Sequence, residues 1–333
     1  MTGATKEHGA EPVRIDVHLR DGALATFAED VRSGLCSNPK AIPPKYFYDA
    51  RGSELFEQIT ALPEYYPTRA EQSILDSAGA EIVERVQPAE IVELGPGSAR
   101  KTDALLRPMV ESGCGARYVP VDVSESSVEQ CAQRLAAQYG GLEIHGLVGD
   151  FEHHLDRIPA ASGRRLVAFL GGTIGNLDEP QRRRLLESVE AQLAPDDRLL
   201  IGTDLVKDRA RLEAAYNDAA GVTAEFNRNL VHVINAHLQA DLDPDGFEHV
   251  AFYNEPEQRI EMWLRAREGM SARIDALGME IGFERGEQFR TEISCKFTRD
   301  TLEREYRAVG LEPLGWYSDP DELFALSLTG PGS

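Results

Sequence analysis

The stretch IVELGPGSARKT, residues 91–102, runs from a short apolar segment into a glycine turn and then into a helical pattern that resumes near Lys101. A strand that stops at Gly95 and Gly97 opens a βα unit, because glycine permits φ > 0 and lets the backbone approach a ligand where a side chain would collide. The stretch nearly spells the phosphate loop GxxxxGK[ST], but Arg100 stands where the second glycine belongs, so a triphosphate cradle is not expected. The third glycine of GxGxxG is missing too, and that glycine helps to seat a pyrophosphate at the helix N-terminus. A nucleoside-like ligand without phosphates suits this turn better than a dinucleotide.

Working outward, 71–87 reads as the preceding helix, YVPVDVS (118–124) as the next strand, 125–139 as a helix and EIHGLVGDF (143–151) as a third strand. LVAFLGGTIGN (166–176) is a fourth strand, followed by a helix at 180–193 and the strand LLIGTDLV (199–206). Strands alternating with helices give an α/β fold with a parallel sheet covered on both faces. A helix at 298–309, then EPLGWYS and FALSLTG, would close that sheet with an antiparallel hairpin. The pattern breaks over 208–268, which is expected to be helical or mixed without a β run of comparable strength. Residues 16–35 are expected as a helix through Leu19, Leu24, Phe27 and Val31, and 41–69 as a rigid, Pro-rich and aromatic stretch. The expected division is a core of 70–206 plus 296–331 and a second domain of 16–69 plus 207–295.

The chain has 333 residues, 42% of them hydrophobic and 27% charged, an ordinary globular balance. With 35 basic and 56 acidic residues its formal charge is −21, so its average surface repels phosphate backbones and anionic lipid. No nucleic-acid or membrane partner is expected. The densest basic run, Arg182-Arg183-Arg184, reads as a solvated helix face. Cys36, Cys114, Cys131 and Cys295 are too few and too scattered for a disulfide framework or a CxxC pair. No apolar run of about 18 residues and no signal peptide is evident, which points to a cytoplasmic protein, expected to act as a monomer.

Three strand ends carry ligand chemistry. Asp122 follows Gly97 by 25 positions, where a doubly wound fold places an acid for the ribose hydroxyls, although an acid there can equally cap the next helix. Asp150 and Phe151 pair a carboxylate with a ring, suited to an adenine amino group and face. Lys101 lies close enough to the loop to meet a ligand carboxylate, so S-adenosylmethionine fits these residues, with an NAD-dependent oxidoreductase as the rival. The run Gly171-Gly172-Thr173-Ile174-Gly175-Asn176 offers close approach and one amide where an acceptor would meet the methyl group. Glu292 and Ser294 face the same way if 291–297 is a strand. The histidines form no metal set, and Asp241, Asp243, Asp245 and Gly246 imitate a calcium loop whose closing acid is replaced by Phe252, so a turn is expected and no metal.

The segments YFYDARGSELFEQITALPEYYPTR (46–69), VELGPGSARKT, GDFEHHL, FLGGTIGN, GTDLVKD, DAAGVTAEFNRN, RIEMWLRA and TEISCKF resemble the ergothioneine-pathway L-histidine Nα-methyltransferases over nearly the whole chain. The resemblance implies a class I methyltransferase core, a mixed α/β substrate-binding second domain, and three methyl transfers to the α-amino nitrogen of histidine. It places S-adenosylmethionine against Gly95, Lys101, Asp122, Asp150 and Phe151. It places the amino acid among Tyr48, Phe56, Tyr65, Gly171, Thr173, Asn176, Tyr216, Met262, Glu292 and Ser294. Asn176, Tyr65 and Tyr216 would hold the backbone end, Glu292 and Ser294 the imidazole, and Met262 would pack beside the ring. Tyr48 or a nearby water would take the amine proton. Another amino acid, such as tryptophan or tyrosine, is the alternative substrate on the same scaffold.

Overall fold

In chain order, β1 (Val13–Val17), α1 (Ala23–Cys36), the two-residue β2 (Lys40–Ala41), α2 (Ala50–Thr60) and α3 (Pro67–Val86) come first in the computed structural model, which describes residues 13–19 and 23–332. The alternation expected from the sequence follows as β3 (Glu90–Leu94), α4 (Asp103–Ser112), β4 (Arg117–Asp122), α5 (Glu125–Gln138), β5 (Glu143–Val148), β6 (Arg165–Phe169), α6 (Glu179–Glu190) and β7 (Arg198–Asp204). Next are α7 (Arg209–Tyr216), α8 (Val222–Leu238), β8 (Phe247–Asn254), β9 (Arg259–Ala266), β10 (Met270–Ile274), β11 (Met279–Phe283) and β12 (Gln288–Cys295). The chain closes with α9 (Arg299–Ala308), β13 (Leu311–Ser318) and β14 (Phe324–Pro331).

Eight strands make one sheet in the order β1-β5-β4-β3-β6-β7-β14-β13. All neighbours are parallel except β14, which runs antiparallel to both β7 and β13. This is the doubly wound α/β arrangement closed by an antiparallel hairpin. Every residue of β3 and β6 is buried, as expected for strands covered on both faces. Ile74, Leu75, Ile82, Leu105 and Leu106 cover one face, while Leu185, Leu186, Leu302 and Tyr306 cover the other. From β3 the chain winds through β4 to β5, then crosses back to β6 and β7, so a crevice opens at the carboxyl ends of β3 and β6.

A second core draws on two distant parts of the sequence. Phe27, Val31, Phe47, Ile59, Tyr65 and Tyr66 pack with Tyr216, Phe226, Leu230, Met262 and Phe289. A four-stranded sheet, β2-β12-β9-β8, supports it. β12 bridges the two cores, because its Ile293 and Cys295 belong to the core of the large sheet.

Several local expectations need correction. Val13–Val17 is a strand paired with β5, and the expected helix over 16–35 starts only at Ala23. The alternating VRIDV, with three β-branched residues, favours an extended edge over a helical turn. Within 208–268, β8 and β9 are full strands, disguised by charged residues that pair across or along the sheet, such as Arg265 with Glu248 at 3.1 Å. Arg182 is not on a solvated face: with Leu185, Leu186 and Val189 it forms the buried stripe of α6, holding Glu305 at 2.7 Å and the Leu177 carbonyl at 2.8 Å. DLDPDG is the expected turn, with Asp243 accepting from the Asp245 amide at 3.0 Å. The polar first dozen residues lie outside the described part.

Close packing of α2 on the segment before it depends on Gly52. A Cβ there would sit 1.7 Å from the Phe47 carbonyl oxygen and 3.0 Å from the Asn229 amide nitrogen. Gly52→Ala is therefore expected to cost about 1–3 kcal/mol in urea unfolding. Unchanged stability would show that α2 can shift freely.

Candidate active site

The crevice begins where β3 ends. Gly95 and Gly97 have φ of +67° and +52°, and a Cβ on Gly97 would meet nothing within 4 Å, so the turn presents bare backbone to open space. Asp122, the last residue of β4, accepts from the Gly97 amide at 3.2 Å and the Ser124 amide at 2.9 Å. It therefore closes the loop and holds the turn into α5, whose cap is Ser124, accepting from the Ser127 amide at 3.3 Å, and each Asp122 oxygen retains a lone pair. Burial raises its pKa, against the pull of those backbone donors. Asp150, after β5, accepts from the Glu152 amide at 2.9 Å and lies 3.4 Å from Lys45. The Phe151 ring sits near Gly95 and meets Phe169 edge-on at 5.2 Å.

Lys101 reaches the crevice floor, where its ammonium lies 2.5 Å from Glu71. Glu71 is fully buried and also accepts from the Gly171 amide at 2.7 and 3.0 Å. Gly202 on β7 makes room for it, since a Cβ there would fall 2.2 Å from the carboxylate. One acid of α3 thus joins the turns after β3 and β6.

The second unit supplies an aromatic wall. Tyr48, Phe56, Tyr65 and Tyr216 follow one another with ring centroids 5.6, 6.2 and 6.1 Å apart. Phe226 backs Tyr48 and Phe56 at 5.7 and 6.0 Å. Opposite stands β12. Its pairing with β9 skips Thr291, and this bulge sets Glu292 directly across from Met262. Beyond the bulge, Ile293, Cys295 and Phe297 face the large-sheet core, while Glu292, Ser294 and Lys296 alternate on the other side. The turn at 173–176 packs on this strand, a Cβ on Gly175 falling 3.7 Å from Ser294 Oγ. Half-buried Asn176 makes no side-chain hydrogen bond among the described residues, so its amide is available to a ligand.

Beneath Ser294 and Tyr216 lies a buried charge cluster. Lys296, whose side chain has no exposure, holds Asp204 at 2.8 Å, Ser294 Oγ at 2.8 Å and Tyr216 Oη at 3.1 Å. Lys207 shares the Asp204 carboxylate, and Tyr66 donates to it at 2.9 and 3.0 Å. Burial drives the Lys207 pKa down to about 8, against the pull of Asp204.

The sequence-derived residues therefore converge from both units, with Asp122 and Glu292 both acting electrostatically on Tyr48. Thr173 is the weakest member, since its hydroxyl donates to the Leu170 carbonyl at 3.2 Å. Glu71, Asp204, Lys207, Lys296 and Phe226 also build the site, beyond the residues expected from the sequence. Two signals were present: Lys296 continues the every-second-residue run of Glu292 and Ser294, and Asp204 ends its strand as Asp122 does.

Burial pushes the Glu292 carboxyl up to about 7 from its ordinary 4.5, against the attraction of Lys296. A carboxyl raised by folding binds more protons folded than unfolded. It costs nothing below its unfolded value and weakens the fold as pH rises through about 7. Glu292→Gln is therefore expected to be more stable than the parent at pH 8 by about 2–3 kcal/mol, with the gain gone at pH 4. A gain of equal size at both pH values in denaturant titrations would contradict the burial of this charge.

A profile of the histidine-specific, SAM-dependent methyltransferases matches residues 27–331. Among relatives, a histidine N-alpha-methyltransferase of Mycolicibacterium smegmatis is 49% identical over 308 residues, 92% of this chain and 96% of the relative. One of Mycobacterium tuberculosis is 48% identical over 317 residues, 95% of this chain and 98% of the relative. Ergothioneine biosynthesis protein 1 of Neurospora crassa is 28% identical over 93% of this chain, which spans 35% of that longer protein. With the crevice, the strand-end acids and the glycine turn in place, the chain belongs to the SAM-dependent, histidine-specific methyltransferases.

Proposed function

We propose that the chain transfers three methyl groups from S-adenosylmethionine to the α-amino nitrogen of L-histidine, giving trimethylhistidine (hercynine) for ergothioneine biosynthesis. The observation that carries this reading is the facing pair of Glu292 and Met262, a buried carboxyl and a buried thioether in one cross-strand register beside the cofactor crevice. The carboxyl suits an imidazole N–H and leaves an apolar side chain with an unmatched polar group, while the thioether packs on the ring. Family membership and this pair agree. No nucleic-acid or membrane partner is proposed, and no helix among the described residues is long and apolar enough to cross a membrane. A cytoplasmic monomer remains our reading.

The crevice fits the methyl donor. Asp122 would take the ribose hydroxyls, Asp150 and Phe151 the adenine amino group and ring, and the backbone at Gly95 would lie against the nucleoside. Lys101, with one N–H on Glu71, keeps two for the methionyl carboxylate. When bound, S-adenosylmethionine supplies an electrophilic methyl group on a sulfonium that is already a leaving group. The protein's part is alignment: holding the amine at roughly 3 to 3.5 Å from that carbon removes much of the entropic barrier. Asn176, Tyr65 and Tyr216 would hold the amino-acid backbone end, with Gly171 and Thr173 shaping the turn beside it.

The amine must arrive neutral. Burial and the charge of Glu292 drive the Tyr48 phenol well above its ordinary value, so Tyr48 stays protonated and acts as a hydrogen-bond donor. Of the two exits for the amine proton, Tyr48 and water, this favours water.

The deciding experiment incubates the protein with S-adenosylmethionine and each amino acid and weighs the products. Mono-, di- and trimethylated histidine are expected, and methylation of another amino acid alone would refute the reading. Asp122→Ala is expected to weaken S-adenosylmethionine binding by about 10- to 100-fold in calorimetry, the loss of charge-assisted hydrogen bonds. Tyr48→Phe should lower kcat/KM while leaving the shape of the pH–rate profile unchanged. A lost limb in that profile would return the proton to Tyr48.

A further inference from the structure

We propose that Lys296 is a positioning residue that sets the hydrogen-bond polarity of the amino-acid pocket, making Tyr216 and Ser294 a unit with a single outward O–H. The inference rests on reading this pocket as the amino-acid site. An ammonium has three N–H donors and no acceptor. In Lys296 all three are engaged, on Asp204 at 2.8 Å, Ser294 Oγ at 2.8 Å and Tyr216 Oη at 3.1 Å. The side chain has no exposure, so no water competes for these donors.

The consequence follows from counting protons. Tyr216 and Ser294 own two O–H groups, and Lys296 can accept neither. One of them is spent in the 2.8 Å bond between the two oxygens. The other has no acceptor among the described residues and turns to the ligand.

One arrangement satisfies every group at once. Ser294 donates to Tyr216, accepts from Lys296, and keeps one lone pair for a ring N–H. Tyr216 accepts from Ser294 and Lys296 and donates to the substrate carboxylate. A side chain without an N–H at that place leaves the Ser294 lone pair unmatched in a dry pocket. Lys296 thereby contributes to selection of an N–H-bearing ring without touching it. Lys207 holds the other oxygen of Asp204, and Tyr66 donates to both, which keeps that acid in place.

The test is the dissociation constant of L-histidine, measured by calorimetry on the full chain saturated with S-adenosylhomocysteine. Lys296→Met, similar in length and unable to donate, is expected to weaken histidine at least about 10-fold, the scale of a lost charged hydrogen bond, with S-adenosylhomocysteine affinity unchanged. Ser294→Ala should cost about 10-fold in the parent and under about twofold in the Lys296→Met background, because the hydroxyl is no longer aimed. Lys207→Met, which disturbs the same acid but touches neither hydroxyl, should change histidine binding less than about twofold. Additive costs, or an equal loss in Lys207→Met and Lys296→Met, would overturn the inference and leave Lys296 a structural cation. Should Lys296→Met not unfold cooperatively, the cycle of Ser294→Ala with Tyr216→Phe in the parent decides instead. There the double variant is expected to lose little more than either single one, and additivity overturns the proposal. A parent that binds no histidine defeats the reading of the pocket itself, an outcome distinct from binding with additive variants.

Discussion

The carboxylate of Glu71 accepts from the Gly171 amide and from Lys101 at the centre of the sheet's ligand edge. It comes from α3, yet its partners belong to the turns after β3 and β6, and the room for it is made by Gly202 on β7. Two strand-end turns and one helix thus share one buried acid, in room left by a third strand. Breaking such an arrangement leaves either an orphaned amide or an unpaired charge, and each is costly in a dry interior. The shape of the crevice depends on it.

A second buried cluster lies beneath Ser294 and Tyr216 and is balanced differently. Asp204 faces two lysines, Lys207 and Lys296, and the nearby Glu292 feels the field of Lys296. With Glu292 ionised the four charges cancel, and with Glu292 protonated one positive charge is left. A pocket whose net charge changes near neutral pH suits a substrate whose own ring titrates there. The fold tolerates Asp204, Lys207 and Lys296 because each has hydrogen-bond partners, while Glu292, with none among the described residues, is pushed toward its neutral form by burial.

The second unit earns its aromatic wall from chain topology. Tyr48, Phe56 and Tyr65 lie between β1 and β3, and Tyr216 and Phe226 come after β7. They meet because the start of α3 and the end of β7 are joined, Tyr66 donating to Asp204 at 2.9 Å. β12 and the residue after it then carry Glu292, Ser294 and Lys296 across the gap between the two cores, and the bulge at Thr291 brings Glu292 opposite Met262.

Read as sequence alone, IVELGPGSARKT, the strand-end Asp122 and the pair Asp150-Phe151 determined the α/β class, the order of βα units and the kind of nucleoside expected, because these depend on local backbone freedom and on strand periodicity. Resemblance over long motifs added histidine and most of the pocket. What only the tertiary structure decided was which charges share one acid. That Lys101 is held by Glu71, that Arg182 is buried against Glu305, that Lys296 donates to Tyr216, and that β8 and β9 are strands all follow from contacts across 30 to 123 residues or from sheet pairing. Such contacts leave no periodic trace, since a buried charge and a solvated one are written with the same letter, and only folding shows which of them has lost its water.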